Sequence, residues 1–486
     1  MTKKELQAEI AIQKTENAAL KHELAQLKRL IFGSKQERFV PTENPEQLAL
    51  DLAQEAVNEE LVVVKETITY DRKKKAHPGR TKLPENLPTE DIIIEPEEDT
   101  SEMERIGEEI TETIDYQPGI LLKRRYIRPK YARKTEVEGQ PTVIIGTLPD
   151  RPIPKGIPEA GLLAHLLVSK YVDHLPFYRQ IEQFKRDHGW SIHQSTINDW
   201  FAACCKLLEP LYDKLLDQVL QTDYLQADES PIKVLDKDKK GSTHQGYMWV
   251  YRNPATGLVL FDYRKGLGMH GPKERLADFR GYLQCDGYKV YDSMAKKRQD
   301  QSLQLISCLA HIRRKFFDAK ANHPELAENA LGQIQSLYKI EQSCREQEMT
   351  APKRQQIRNQ QAKPIFENLV AWVSEQHRNN LSKEPIGKAL KYANDQLPKL
   401  AAYMEDGRIE IDNNLIENAI RPLALGRKNY LFAGSHQAAQ RTAMMYSFMA
   451  TCKTLGLNPK QWLANTLTAV GTCPVNKVEE LLPGRS

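Results

Sequence analysis

Two short stretches of the chain nearly repeat one another. They are Leu225-Gln226-Ala227-Asp228 and Leu283-Gln284-Cys285-Asp286, and each delivers a carboxylate two residues after a glutamine. Read as β-strands, they place Leu225 and Ala227 on one face and Gln226 with Asp228 on the other, and the second repeat does the same. Each strand is expected to end where a turn begins, at Glu229-Ser230-Pro231 and at Gly287. Carboxylates at the ends of neighbouring strands are well placed to share a hard divalent cation. Phosphoryl transfer on DNA usually employs two metal ions held by several acids, so a third acid is needed. Its best candidate is Glu417, in Ile411-Asp412-Asn413-Asn414-Leu415-Ile416-Glu417, where Asp412 or Asn413 can cap the helix. A second reading stays open, because Glu417 and Arg421 stand i,i+4 and match a helix-surface ion pair. Cys308 and His311 form a C-x2-H pair with no second pair nearby, which reads as a buried thiol and a histidine close to the site.

The elements that must position these acids follow from local pattern. Gly246–Asn253 and Gly257–Arg264 are apolar-aromatic runs joined by a Pro- and Gly-containing turn, a hairpin signature. A helical stretch, Gly271–Phe279, leads into the second acidic strand. The apolar strand Leu303–Leu309 then feeds a basic helix, Ala310–Lys320. Three antiparallel-type strands, a helix, a strand, a helix and another strand resemble the ribonuclease H topology. Upstream, Glu159–Ser169 and Phe177–Asp187 look helical, and Gly189 precedes a further helix, His193–Cys205. Helix, glycine turn and helix fit a helix-turn-helix, with Gln194, Ser195, Asn198 and Asp199 as groove-facing candidates. A helical hairpin that binds nothing has the same pattern.

The N-terminal third differs in composition. Leu6, Gln13, Leu20 and Leu27 occupy d positions of one heptad register, and Ile10, Asn17, Leu24 and Ile31 occupy a positions. Glu9, Glu16 and Glu23 at g lie five residues before Lys14, Lys21 and Lys28 at e, the charge pairing of a parallel two-stranded coil, and Asn17 at a favours a dimer. Residues 41–90 are proline-containing and linker-like, with a basic arm at Lys73, Lys74, Lys75 and Arg80 that fits a minor groove or a solvated linker equally. Ile92–Ile145 reads as short strands: Ile92–Ile94, Glu112–Tyr116, Leu121–Arg128 and Thr142–Ile145. Net charge is only +4, yet Glu90–Asp115 carries twelve acids against one base, while Gly119–Lys134 is basic without an acid. Segregated basic blocks suit a polyanion, and solvated faces account for them as well. Without a long apolar run or an apolar leader, and with seven cysteines in no disulfide-like framework, the expectation is a cytoplasmic protein with no membrane partner.

Over nearly its whole length the sequence resembles the insertion sequence 66 family of DDE transposases. The stretches that carry the resemblance include Phe32–Arg38, Val168–Arg179, Ala227–Pro231, Cys285–Tyr288, Cys308–Phe317 and Asn476–Pro483. The most specific is Asp412-Asn413-Asn414, Glu417, Arg421-Pro422, Gly426–Asn429 and Phe432–Ser435. The resemblance implies that Asp228, Asp286 and Glu417 are the catalytic triad and the ligands of two Mg²⁺ ions, replaceable in vitro by Mn²⁺. It implies a helical insertion between the second and third acids, which here lie 131 residues apart. Family members commonly carry a zinc-ribbon-like cysteine motif after the basic arm; here no cysteine precedes Cys204, so no structural zinc is expected.

The expected architecture is therefore multidomain α/β: a ribonuclease H-like mixed β-sheet catalytic core with a helical insertion, preceded by coiled coil, small β module and helix-turn-helix. The divisions are 1–40 coiled coil, 41–90 linker, 91–150 β module, 151–222 helix-turn-helix region, 223–321 and 401–455 catalytic core, 322–400 insertion and 456–486 C-terminal tail. The implied activity is metal-dependent cleavage of element ends and strand transfer into target DNA. Arg313, Arg314, Arg427 and Lys428 are candidate backbone clamps, and the partners are DNA, a second copy or higher oligomer, and accessory proteins of the same element. Two alternatives remain: a transposase-derived DNA-binding regulator without catalysis, and a ribonuclease H-superfamily nuclease acting on RNA–DNA hybrids.

Overall fold

The computed structural model describes residues 149–235, 242–298, 300, 302–380 and 383–485, with 119, 121, 123–127, 130–132 and 143–145 before them. The heptads of Leu6–Ile31 and the basic arm at Lys73, Lys74, Lys75 and Arg80 lie outside the described residues, as do the expected strands Ile92–Ile94 and Glu112–Tyr116.

In chain order the elements are a short antiparallel pair, β1 (Lys130–Ala132) and β2 (Val143–Ile145), then helices α1 (Ala160–Tyr171), α2 (Phe177–His188) and α3 (Gln194–Leu220). Strands β3 (Tyr224–Leu235), β4 (Thr243–Arg252) and β5 (Val259–Arg264) follow, then the short α4 (His270–Arg275) and β6 (Gly281–Gln284). Next come α5 (Lys289–Lys297), β7 (Leu303–Ile306) and α6 (Leu309–Ala319). The insertion comprises α7 (Pro324–Glu346), α8 (Ala351–Ile357), a π-helical turn (Arg358–Ala362), α9 (Lys363–Asn379) and α10 (Pro385–Leu400). The chain closes with α11 (Asn414–Tyr430), α12 (His436–Thr454) and α13 (Pro459–Ala469).

The five-stranded sheet has the order β5-β4-β3-β6-β7, antiparallel from β5 to β3 and parallel from β3 to β7. This mixed α/β arrangement is consistent with a ribonuclease H-like core. The β4–β5 turn matches its sequence signature: Asn253 Oδ1 accepts from the Ala255 N–H, and Gly257 takes φ +73°. The α2–α3 turn is likewise set by Gly189 at φ +64°, where the helix ends in a left-handed residue.

Two expectations are corrected. Leu121–Arg128 is not a strand where it is described: Leu121 and residues 123–127 carry no pairing, and the ladder forms at Lys130–Ala132 instead. Lys123, Arg124 and Arg125 are consecutive and exposed, so no alternation offers a face to bury. The Asp228 strand also does not end at Glu229-Ser230-Pro231 but runs on to Leu235, with Asp228 opposite Val250 and Pro231 opposite Tyr247. β6 pairs with β3 only at Tyr224–Gln226, and a strand with one open edge tolerates a residue that has no N–H.

Two apolar cores hold the described part together. The first runs through α1, α2, α3, the sheet, α11, α12 and α13, so the helices before the sheet share its core. Within it α12 is secured to the edge strand: Ser447 Oγ accepts from the Phe261 N–H at 2.8 Å and Thr451 Oγ1 from the Val259 N–H at 3.0 Å. The segment expected as a C-terminal tail packs into the same core through Leu463, Leu467, Val478 and Leu482. The second core belongs to α6 and the insertion, with Ile312, Phe316, Ile334, Leu337, Leu369 and Leu390 buried. Among the described residues no helix is long and apolar enough to cross a membrane.

Candidate active site

The two near-identical tetrapeptides lie side by side. Leu225 pairs with Leu283 and Gln226 with Gln284 in the parallel β3–β6 ladder, so Asp228 in β3 and Asp286 just past β6 each stand two residues beyond the last paired glutamines. Past Gln284 the second strand turns: Gly287 takes φ +88°, and Asp286 Oδ1 accepts from the Tyr288 N–H at 3.0 Å. Asp228 Oδ1 accepts from the Glu229 N–H at 2.7 Å.

Beneath the acids the glutamines form a buried ladder. Gln226 Nε2 donates to Gln284 Oε1 at 3.0 Å, Tyr224 Oη donates to the same oxygen at 2.6 Å, and Arg252 Nη1 donates to Gln226 Oε1 at 3.2 Å. Gln284 Nε2 then donates to the Glu410 carbonyl at 2.8 Å, and the Glu410 N–H donates to Tyr224 Oη at 3.0 Å. The segment leading to Glu417 is thus tied to both acidic strands. Asn413 adds to it, its side chain donating to the Ala227 carbonyl and its N–H to Cys308 Sγ, both at 3.1 Å. Although Asn413 Oδ1 is left without a donor among the described residues, a buried hydrogen-bonded network of this kind favours a single arrangement. This one carries α11, and Glu417 in its first turn, to the middle of β3 and the end of β6.

The charges of these acids act on one another. Burial pushes the Asp228 carboxyl up to about 8, and the charges of Asp286 and Glu417 push the same way. Burial likewise raises Glu417, with Asp412 and Asp286 adding to the shift and Arg314 and Arg421 opposing it. Glu229, read from sequence only as a turn residue, also belongs to the group: burial, then Asp286 and Asp228, raise it to about 8. Its Oε2 and Glu417 Oε1 are buried without a hydrogen-bond donor. Buried acid oxygens without donors can take a hard divalent cation. Among the described residues, however, the three ligand atoms brought within 4.8 Å of one another are those of Cys308, His311 and Glu417 and not those of Asp228, Asp286 and Glu417. Asp412, considered from sequence as a cap, accepts from the Asn414 N–H at 3.1 Å and from Tyr338 Oη at 2.9 Å.

Among the described ion pairs Glu417 is matched with His311, Nδ1 to Oε1 at 3.7 Å, and not with Arg421. Burial lowers the His311 ring, which favours its neutral form. Cys308, His311 and Glu417 do bring ligand atoms within 4.8 Å of one another. Zinc would need the thiolate, and burial beside Asp412 and Glu417 drives the Cys308 thiol well above its ordinary value while Asn413 donates to it.

The remaining candidates are distributed around this centre. Arg313 and Arg314 lie on α6, Arg314 exposed and close enough to act on Glu417. Lys428 is exposed on α11, whereas Arg427 turns to β3 and donates through Nη1 to Ser230 Oγ at 3.0 Å and to the Pro231 carbonyl at 2.6 Å. Gln194, Ser195, Asn198 and Asp199 are all exposed at the start of α3.

Comparison with known proteins places this chain in company. Residues 155–441 match the model described as Transposase IS66 family, residues 19–92 the model Transposase C of IS166 homeodomain, and residues 447–483 the IS66 C-terminal element. The uncharacterized protein y4jD of Sinorhizobium fredii is 32% identical over 490 residues, covering 96% of this chain and 94% of that protein. A second protein of that organism, uncharacterized protein y4qI, is 31% identical over 499 residues, covering 97% and 90% respectively.

Proposed function

The chain belongs to the IS66 family of transposases, and from that premise we propose that it binds the ends of an insertion sequence and catalyses metal-dependent DNA cleavage and strand transfer. The observation that carries this reading is the mutual charge of Asp228, Asp286 and Glu417, joined by Glu229, around oxygens that lack donors. Asp228, Asp286 and Glu417 would hold two Mg²⁺ ions, with Mn²⁺ as a substitute. When bound, these ions neutralise charge on the transferring phosphate and activate a water. The residues of the chain do the positioning. The Gln226–Gln284 ladder sets the separation of the two strand acids, and Asn413 and the Glu410 backbone set the third. His311, kept neutral by burial, crowds Glu417 without neutralising it.

Hydrolysis at the element end frees a 3′-hydroxyl. In-line attack of that oxygen on a target phosphate forms one phosphodiester bond and breaks another, so no covalent protein intermediate is required. Arg313, Arg314 and Lys428 would contact the DNA backbone, and Gln194 and Asn198 would face base edges from the α2–α3 hairpin. Lys73, Lys74, Lys75 and Arg80 would add salt-dependent affinity. Two ends must be held together, and the heptads at Leu6, Ile10, Asn17, Leu20, Leu24, Leu27 and Ile31 would provide the dimer.

The test is to incubate the full chain and Mg²⁺ with linear duplexes made from the DNA flanking its coding sequence, together with a supercoiled target. Covalent joining of end 3′-strands to the target is the expected outcome. Binding of ends without cutting points to the regulator, and nicking of RNA–DNA hybrids without joining points to the nuclease.

A further inference from the structure

Helix α11 does more than carry Glu417. At spacings of four, four and three, Glu417, Arg421, Leu425 and Lys428 follow one side of the helix, with Leu425 44% exposed and Lys428 exposed beyond it. The helix then runs into a strained turn. Leu431 sits at φ 63° and ψ −44°, and the Phe432 N–H donates to the Tyr430 carbonyl at 2.7 Å. That is a γ-turn of the positive-φ hand, a rare and strained conformation that a bulky side chain avoids.

The turn is held from its far side. The Ala433 N–H donates to the Lys233 carbonyl and the Leu235 N–H to the Ala433 carbonyl, both at 2.8 Å, which pins the chain to β3. Between helix and strand, Leu431 stands 62% and Phe432 40% exposed. Alongside, Arg179 donates to Asn429 Oδ1 at 3.2 Å, and its neighbour Tyr178 is 43% exposed. Packing alone would not select a strained backbone that turns two large apolar side chains into water. Such a feature needs a partner. The cations near it, Lys428 and Arg179, with Arg421 farther back along α11, select a polyanion with an apolar interior. Duplex DNA is that: phosphates outside, stacked bases within.

We infer that Leu431 and Phe432 form a wedge that enters the base stack of the DNA being processed, with Arg421 and Lys428 on the backbone leading to it. The inference rests on the DNA-cleaving reading above. Leu431 lies fourteen residues beyond Glu417 along α11 and its terminal turn. At about 1.5 Å per residue and about 3.4 Å per base pair, the wedge enters about six base pairs from the scissile phosphate.

The experiment uses the full chain in Mg²⁺-free buffer and duplexes of the flanking DNA, each with one 2-aminopurine at successive positions from the cut. Fluorescence is expected to rise on binding at one step, about six base pairs away, as the base is unstacked. Phe432→Ala and Leu431→Gly should lose that rise and bind fully paired DNA about tenfold more weakly. A mismatch at that step should restore them to within about twofold, because unstacking is already done. Leu431→Gly should also melt higher than the unsubstituted chain, since glycine accepts the positive φ, which separates loss of the wedge from damage to folding. Binding with no fluorescence change at any position overturns the wedge, as does equal weakening on paired and mismatched duplexes. Failure of the unsubstituted chain to bind these duplexes at all, or to cut them once Mg²⁺ is added, counts against the DNA-cleaving reading itself.

Discussion

Two buried groups of charge in this molecule are built on opposite principles. In the insertion, Glu341 and Arg358 are wholly buried and wholly matched: Arg358 Nε and Nη2 donate to the two carboxylate oxygens at 2.8 Å each. Its Nη1 donates to the Tyr403 and Asp406 carbonyls, and its plane lies 4.5 Å from the Tyr403 ring. Around the middle of β3 and the end of β6, Asp228, Glu229, Asp286 and Glu417 act on one another's charge, and two of their buried oxygens have no donor. The first arrangement is complete within the chain. The second leaves buried acceptors that nothing among the described residues satisfies. A folded protein retains mutual repulsion where the chemistry needs an open coordination site.

The largest expected effect tests the open group. Asp228→Asn, Asp286→Asn and Glu417→Gln should each reduce Mg²⁺-dependent cleavage of end DNA to background, because an amide keeps the shape and loses the charge that holds a hard cation. Circular dichroism should show all three folded, with melting temperatures no lower than that of the unsubstituted chain, since each removes a repelling charge. Substantial cleavage by Glu417→Gln would remove that residue from the site and direct attention to Asp412 or Glu410.

The closed group should respond in the opposite way. Arg358→Met leaves Glu341 buried without its partner and should cost about 3–5 kcal/mol in urea unfolding. The double change Glu341→Leu with Arg358→Met should recover most of that loss, because two apolar groups need no partner. If the double variant is as unstable as the single one, the matched pair is not what secures the insertion.

A smaller effect follows from the raised acids. Asp228 and Glu229 titrate near 8 when folded and near about 4 when unfolded, so the unfolded chain releases its protons first as pH rises. Between those values the folded state binds more protons, and stability without metal should fall steadily from about pH 4 to about pH 8. Mg²⁺ should therefore raise the melting temperature more at pH 8 than at pH 5, and Asp228→Asn should flatten the pH slope. A melting temperature independent of pH over this range would contradict the description of the site as a repelling cluster.

The smallest effect discriminates two roles of one glutamate. Glu417 is matched with His311 rather than with Arg421. Arg421→Ala should therefore change stability by less than the about 0.2–0.5 kcal/mol of a helix-surface ion pair. A larger loss in urea unfolding would reinstate the pairing that the i,i+4 spacing suggests.

Much of the mixed-sheet core was readable residue by residue. The repeated tetrapeptides announced two similar strands, and the β4–β5 hairpin announced itself through Asn253 and Gly257. The helices before the sheet were legible from their periodicity and from Gly189. Where β3 ends was not legible. Glu229-Ser230-Pro231 has turn composition, and only the shortness of β6 leaves the open edge that lets the strand pass through a proline. Glu229 was missed for the same reason: a residue assigned to a turn is not searched for as a site acid. Arg427 shows the reverse case. It sits in a basic motif suited to phosphate, and the fold turns its guanidinium inward to Ser230 and Pro231.

By itself the sequence determined the local choices, meaning the element types, the hairpin and the acids that merit attention, because these depend on periodicity and on single-residue backbone preferences. The fold alone decided how Glu417 crosses 131 residues to reach Asp286. That placement needs Gln284 to find the Glu410 carbonyl, Asn413 to find the Ala227 carbonyl, and Tyr338 to find Asp412. None of these pairs is near in sequence. Only a buried network in which every donor finds its acceptor selects them, and that condition is set by three-dimensional packing.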